Sequence, residues 1–252
     1  MLIDTHCHIY EEEIDNAEEI IKECAKNGIY MILNGIDVKS NEEILNLANK
    51  YDNVYAALGY DHSVVDKITD FDIELLDKQL SNPKVVAVGE IGLDYYWVKD
   101  NKDKQKDLFE KMLNLAEKHK LPVIVHAREA VQDTYDILKT HKVIGSMHCF
   151  QGSKEMAKEF IKLGFYIGID GPITYKNNKK QIDVIKNIDI DHILVETDSP
   201  YLSPEEKRGS KNTPLNLIYI IRKIGEELNI SEEEMINITT NNARRLYERI
   251  NK

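Results

Sequence analysis

A chain of 252 residues has room for one large domain or two small ones, and 42% hydrophobic with 31% charged residues is the balance of a globular protein with a sizeable core. Its formal charge of −11 argues against a broad electrostatic grip on duplex nucleic acid, yet allows a local grip on one or two phosphates. No apolar stretch approaches the roughly 18 residues that a membrane span requires, so no membrane partner is expected.

The chain opens on Met1-Leu2-Ile3, a strand-like run with no basic and apolar leader before it. That run closes on Asp4-Thr5-His6-Cys7-His8. Residues two apart on a strand share a face, so His6 and His8 project together, with Asp4 in step behind them, as half of a metal site. An amphipathic helix follows over residues 16–26 and stops at Gly28, and a strand lies at 30–33. A helix at 42–50, with Ser40 before it and Glu43 in capping-box spacing, leads to a strand at 54–58. The helix at 73–80 leads to a strand at 85–88, which runs into Gly89-Glu90. After a helix at 108–118, strands at 123–125 and 143–147 end in His126 and His148. A strand at 165–169 follows the helix stop at Gly164, and the last strand, 193–195, ends in Glu196-Thr197-Asp198. Residues 215–250 read as two helices, the second starting at Ser231 with Glu234 in capping-box spacing.

One strand-and-helix unit thus recurs about eight times, and short β-branched runs separated by helices indicate parallel strands with right-handed crossovers. The number and length match a TIM (β/α)8 barrel, an α/β fold with parallel strands inside and helices outside. An open doubly wound sheet is the alternative, but no Gly-x-Gly-x-x-Gly loop follows the first strand. No Pro/Gly/Ser-rich linker divides the sequence, so residues 1–252 are expected to form a single domain. The three cysteines, Cys7, Cys24 and Cys149, are odd in number and lack framework spacing, which points to a reducing, cytoplasmic setting.

In a barrel the active site forms at the C-terminal ends of the strands. His6, His8, Glu90, His126, His148 and Asp198 all fall there. One histidine at a strand end is usually structural, whereas four with two carboxylates suit two divalent ions bridged by a carboxylate. Such a pair lowers the pKa of a shared water and polarises the oxygen under attack, and Asp198 would accept the water's proton or ligate one ion.

Six segments carry a resemblance: Asp4-Thr5-His6-Cys7-His8, Gly89-Glu90-Ile91-Gly92-Leu93-Asp94-Tyr95, Val125-His126-Ala127-Arg128, His148-Cys149-Phe150-Gln151-Gly152, Glu196-Thr197-Asp198-Ser199-Pro200-Tyr201-Leu202 and Arg208-Gly209-Ser210-Lys211-Asn212-Thr213-Pro214. Across essentially its full length the chain resembles the TatD family of metal-dependent deoxyribonucleases, among the amidohydrolase-like barrels. The resemblance implies one metal position built by His6, His8, Glu90 and Asp198, and a second by Glu90, His126 and His148. It also implies phosphodiester hydrolysis of DNA with magnesium, manganese or zinc. The leading reading is therefore a 3′ exonuclease acting on single-stranded or frayed DNA, with Glu90 and Asp198 as catalytic residues. After the third strand the family commonly has Gly-x-His-Pro, where this chain reads Gly59-Tyr60-Asp61-His62. A carboxylate thus stands where histidine is usual, which bears on substrate preference more than on metal binding.

Arg128 is placed to contact a phosphate at the same mouth, and Arg208, His62 and Tyr95 are further candidate substrate contacts. Basic clusters follow the seventh strand (Lys176, Lys179, Lys180) and the eighth (Lys207, Arg208, Lys211). Tyr95, Tyr96 and Trp97 could stack on unpaired bases. Cys7 and Cys149 alternate with ligands on their strands and are expected to face the helix layer as small hydrophobes. His119 and His141 belong to the last turns of helices, and His192 to the wrong end of the barrel. The rival readings are hydrolysis of a carboxylic or aminoacyl ester at the same metals, and a metal-stabilised scaffold, which has no need for an open coordination position. A sequence-specific duplex binder is disfavoured by the acidic balance. The sequence leaves oligomeric state open, a monomer included.

Overall fold

A computed structural model describes residues 1–97 and 99–251. Eight strands, β1 (Leu2–Cys7), β2 (Ile29–Asn34), β3 (Val54–Leu58), β4 (Val85–Asp94), β5 (Val123–Arg128), β6 (Gly145–Met147), β7 (Phe165–Ile169) and β8 (Ile193–Val195), lie side by side in sequence order, every neighbouring pair parallel. Between them run α1 (Ala17–Lys26), α2 (Val38–Lys50), α3 (Asp70–Gln79), α4 (Lys102–His119), α5 (Val131–Leu138), α6 (Lys154–Lys162) and α7 (Lys179–Ile185). Two helices, α8 (Leu217–Leu228) and α9 (Glu232–Leu246), end the chain. The Asp198 amide donates to the His6 carbonyl at 3.0 Å and the His8 amide to the Ser199 carbonyl, bringing the last strand round to the first. The result is the nearly closed TIM (β/α)8 barrel expected from the repeat. No helix among the described residues is long and apolar enough to cross a membrane.

Alternation builds the barrel in two apolar layers. Outward residues such as Met31, Leu33, Ala56, Leu58, Val123, Val125, Ile167 and Ile169 pack against the helices. Each helix answers with a stripe at 3–4-residue spacing, as in Leu108, Phe109, Met112, Leu113 and Ala116 of α4. Inward residues Ile3, Ile32, Ala57, Val86, Ile124, Tyr166 and Leu194 fill the barrel, and Ala243, Leu246, Tyr247 and Ile250 of the tail pack against them. The tail thus covers one end of the barrel, and the candidate ligands occupy the other.

Three local expectations need correction. The cap of α2 is Asp37, whose carboxylate accepts from the Ser40 amide at 2.7 Å; Ser40 itself is the third helical residue and closes the box through its hydroxyl. Helix α2 therefore starts at Val38, ahead of the 42–50 expectation. Asp4 does not share a cluster with the histidines, because the register of β1 shifts between Asp4 and Cys7 and turns its carboxylate onto the Thr197 amide and hydroxyl. Cys149 does not enter the helix layer either. It follows the end of β6 with a φ of 43°, which breaks the strand alternation, and the Gln151 side chain donates to its sulfur. Cys7 is buried on the helix side as expected.

Candidate metal centre

Strand β4 runs through Asp94, six residues past its expected end at Val88, and its register against β5 shifts between Val88 and Ile91. A bulge re-aims a side chain, and Glu90 sits within this one. Its two carboxylate oxygens face different neighbours. Oε2 lies 3.3 Å from Nε2 of both His6 and His8, whose strand carries its own register shift at the same level. Asp198 Oδ1 completes that group at 3.5 Å from His6 and 3.6 Å from His8. Oε1 lies 3.0 Å from His126 Nδ1 and 3.7 Å from His148 Nε2. The structure thus brings together His6, His8, Glu90, His126, His148 and Asp198, in two groups that share one carboxylate.

Three of the four histidines have their outer ring nitrogen held from behind, whereas the buried Nδ1 of His6 has no hydrogen-bond partner among the described residues. His8 Nδ1 bonds the Asn34 carbonyl at 2.9 Å, His148 Nδ1 bonds Glu196 Oε1 at 3.1 Å, and His126 Nε2 bonds Asp94 Oδ2 at 3.1 Å. Such partners fix which nitrogen faces inward. Glu196 is fully buried, also accepts the Cys149 amide, and rests against Gly168, where a Cβ would come within 2.6 Å of its carboxylate. A mixed imidazole and carboxylate set with three of its four outer nitrogens engaged fits divalent zinc, manganese or magnesium.

The charges of the group are strongly mutual. Burial pushes Glu90 up, but the adjacent His148, His6 and His126 outweigh it and hold the carboxyl well below its ordinary range. Burial opposes the charged form of His126 and His8 too, yet bonds to Asp94 and Glu90 lift His126 to about 10, and Glu90 with Asp198 lifts His8 to about 9. His6 falls to about 3 through burial and its neighbour His148, and His148 to about 4 through burial and His126. Burial raises Asp198 well above the carboxylate range and Glu196 to about 7.

The candidate substrate contacts divide. Arg128, the last residue of β5, lies over the Tyr96 ring at 3.9 Å and near Trp97 at 5.3 Å. Arg208 covers the Tyr175 ring at 4.5 Å and pairs with Glu205 at 3.3 Å. His62 stacks on His126 with centroids 5.3 Å apart, and Asp61, which caps the short turn His62–Val64, lies 3.3 Å from its Nδ1. Tyr95 is not presented with them: it is buried, and its hydroxyl donates to Asp133 on α5 at 2.8 Å. His119 meets Asp77 and His141 meets Glu110 and Glu117, all on the helix layer; His141 lies beyond the end of α5 rather than in its last turn.

Sequence reasoning passed over Asp94, Glu196 and Asn34 as residues that hold the histidines. The signal was partial: Asp94 and Glu196 lie inside the quoted motifs.

The family profile for TatD-related DNases matches residues 3–248. The chain belongs to the TatD-related DNase family. This TatD-family chain is 40% identical to the metal-dependent hydrolase YabD of Bacillus subtilis, with all of both chains covered. It is 31% identical to the metal-dependent hydrolase YcfH of Escherichia coli, covering 98% of this chain and 95% of the other. The crystal structure of YJJV, a TatD homolog from Escherichia coli, superposes with a TM-score of 0.90 at 32% identity, covering 98% of each chain. The protein is accordingly a metal-dependent hydrolase with a TIM-barrel fold.

Proposed function

We propose that this chain is a deoxyribonuclease that hydrolyses phosphodiesters from the 3′ ends of single-stranded or frayed DNA, using two divalent ions. The observation that carries this reading is the division of Glu90, one oxygen toward His6, His8 and Asp198 and the other toward His126 and His148. Bound there, divalent ions would supply Lewis acidity to the phosphate and a water acidified toward neutrality. The chain's own residues do the rest. Asp198, held at the mouth by the hydrogen bond that its backbone amide donates to the His6 carbonyl, accepts the proton released as water attacks phosphorus. Arg128 and Arg208, both exposed, supply the forked donors that match phosphate oxygens. Glu196 and Asp94 keep His148 and His126 aimed inward, so the site is not rebuilt at each turnover. The family name agrees with a DNA substrate, and a cytoplasmic, single-domain enzyme is part of the same reading.

The test is a comparison of turnover by one metal-reconstituted preparation on short single-stranded DNA, an aminoacyl-tRNA and a simple carboxylic ester. The reading expects kcat/KM for DNA to exceed the other two. A preference for either carboxylic substrate would move the assignment to ester hydrolysis at the same centre.

A further inference from the structure

Two large aromatics on one turn beside the candidate metal centre are left exposed rather than packed. Trp97 is 68% exposed and Tyr96 45%, on the turn that follows β4. Their rings meet edge to face with centroids 4.9 Å apart, and the Arg128 guanidinium lies over Tyr96. Asp94 joins this turn to the site. Its Oδ1 accepts the amides of Tyr96 at 2.8 Å and Trp97 at 3.0 Å, while its Oδ2 holds His126 at 3.1 Å. Gln105 of α4 clamps the Asp94 backbone from behind, donating to its carbonyl and accepting from its amide. One carboxylate therefore sets both the aromatic turn and a candidate metal ligand.

We propose that Tyr96, Trp97 and Arg128 form a stacking platform for one unpaired nucleobase, held in register with the metal centre by Asp94. The inference rests on the nuclease reading and adds to it the part of the substrate these residues recognise. Exposed aromatic faces take any base, because every base has a π face, and a guanidinium beside them suits both the base and its phosphate. A paired base is already stacked within its duplex, so the platform selects unpaired ends. Asp94 acts as a positioning residue, and the exposed rings make the contact.

Trp97 is the chain's one tryptophan, so its emission reports the platform directly. The experiment titrates magnesium-loaded wild-type protein with oligothymidylate carrying hydrolysis-resistant phosphorothioate linkages, and with an abasic oligomer of equal length. Emission should change along the same isotherm as the anisotropy of end-labelled oligothymidylate, and should not change as the abasic chain binds. Trp97→Ala should weaken oligothymidylate binding roughly tenfold and leave abasic binding as it was. Equal emission changes with both oligomers, equal losses for both in Trp97→Ala, or binding without any change would overturn the platform. If ordinary DNA is cleaved while any of these holds, the platform alone falls. If wild type neither binds nor cleaves DNA, the nuclease reading falls and takes the platform with it.

Discussion

Glu90 is the residue whose two oxygens each face one of the two groups. Replacing it by Gln keeps the shape and removes the charge, so metal content measured after reconstitution and desalting should fall below that of wild type. The histidines' supports should matter less. Asp94→Asn and Glu196→Gln each retain a first set of donors with a looser aim, for which roughly 10–100-fold weaker metal affinity is expected in competition with a chelating dye. Affinities equal to wild type would show that these carboxylates do not orient the rings. The pH dependence has a definite sign. In the metal-free protein His8 titrates at about 9 and His126 at about 10, both above the ordinary 6.5, so each carries a proton at neutral pH that ligation must displace. Apparent affinity should therefore climb from pH 6 to pH 9, by about tenfold per unit for each proton released. An affinity that falls over that range would contradict the charge assignment. Six ligand-type residues were legible in the sequence because each sits where a short apolar run gives way. Asp94 and Glu196 were not, because their partners His126 and His148 lie 32 and 48 residues away and meet them only once the barrel has folded.

At the scale of elements, periodicity located the strands well and their ends less well. The run at 85–88 stops in the sequence where the apolar residues give way to Gly89-Glu90, yet β4 continues to Asp94, because β5 goes on pairing with it from Ile91 to Asp94 after its pairing with β3 has ended at Val88. Helix caps depend on backbone geometry, and Ser40 with Glu43 matches the capping-box spacing although neither is the cap. The structure makes Asp37 the cap, so Asp37→Ala should cost about 1 kcal/mol in denaturant unfolding. A loss restricted to Glu43 variants would restore the sequence-based boundary. Gly168 on β7 is a second element-level constraint. A methyl there would meet the Glu196 carboxylate at 2.6 Å, so Gly168→Ala should weaken metal binding through His148 even though Gly168 is no ligand. Metal affinity unchanged in this variant would mean that the carboxylate yields freely.

The whole molecule separates stability from chemistry along the barrel axis. The tail packs Leu246 and Tyr247 against the inward residues of the strands, and Tyr247 bonds Ser146 of β6 at 3.0 Å. The candidate ligands occupy the opposite mouth. Leu246→Ala, at a side chain 2% exposed, should cost roughly 2–5 kcal/mol of folding stability and leave metal affinity where it was. The fold was readable as a whole because a strand-helix unit repeated about eight times admits few closed arrangements. The candidate substrate contacts were less readable, since the sequence does not specify that Arg128 lies over Tyr96 and Trp97 or Arg208 over Tyr175. The most direct test of the account is to strip the protein of metal, add 3′-labelled single-stranded DNA with magnesium, manganese or zinc, and follow loss of the label, with Asp198→Asn in parallel. The account predicts metal-dependent release by the wild type and little by Asp198→Asn. Protein that rebinds metal yet releases no label with any of the three ions, or an Asp198→Asn variant as active as wild type, would contradict it.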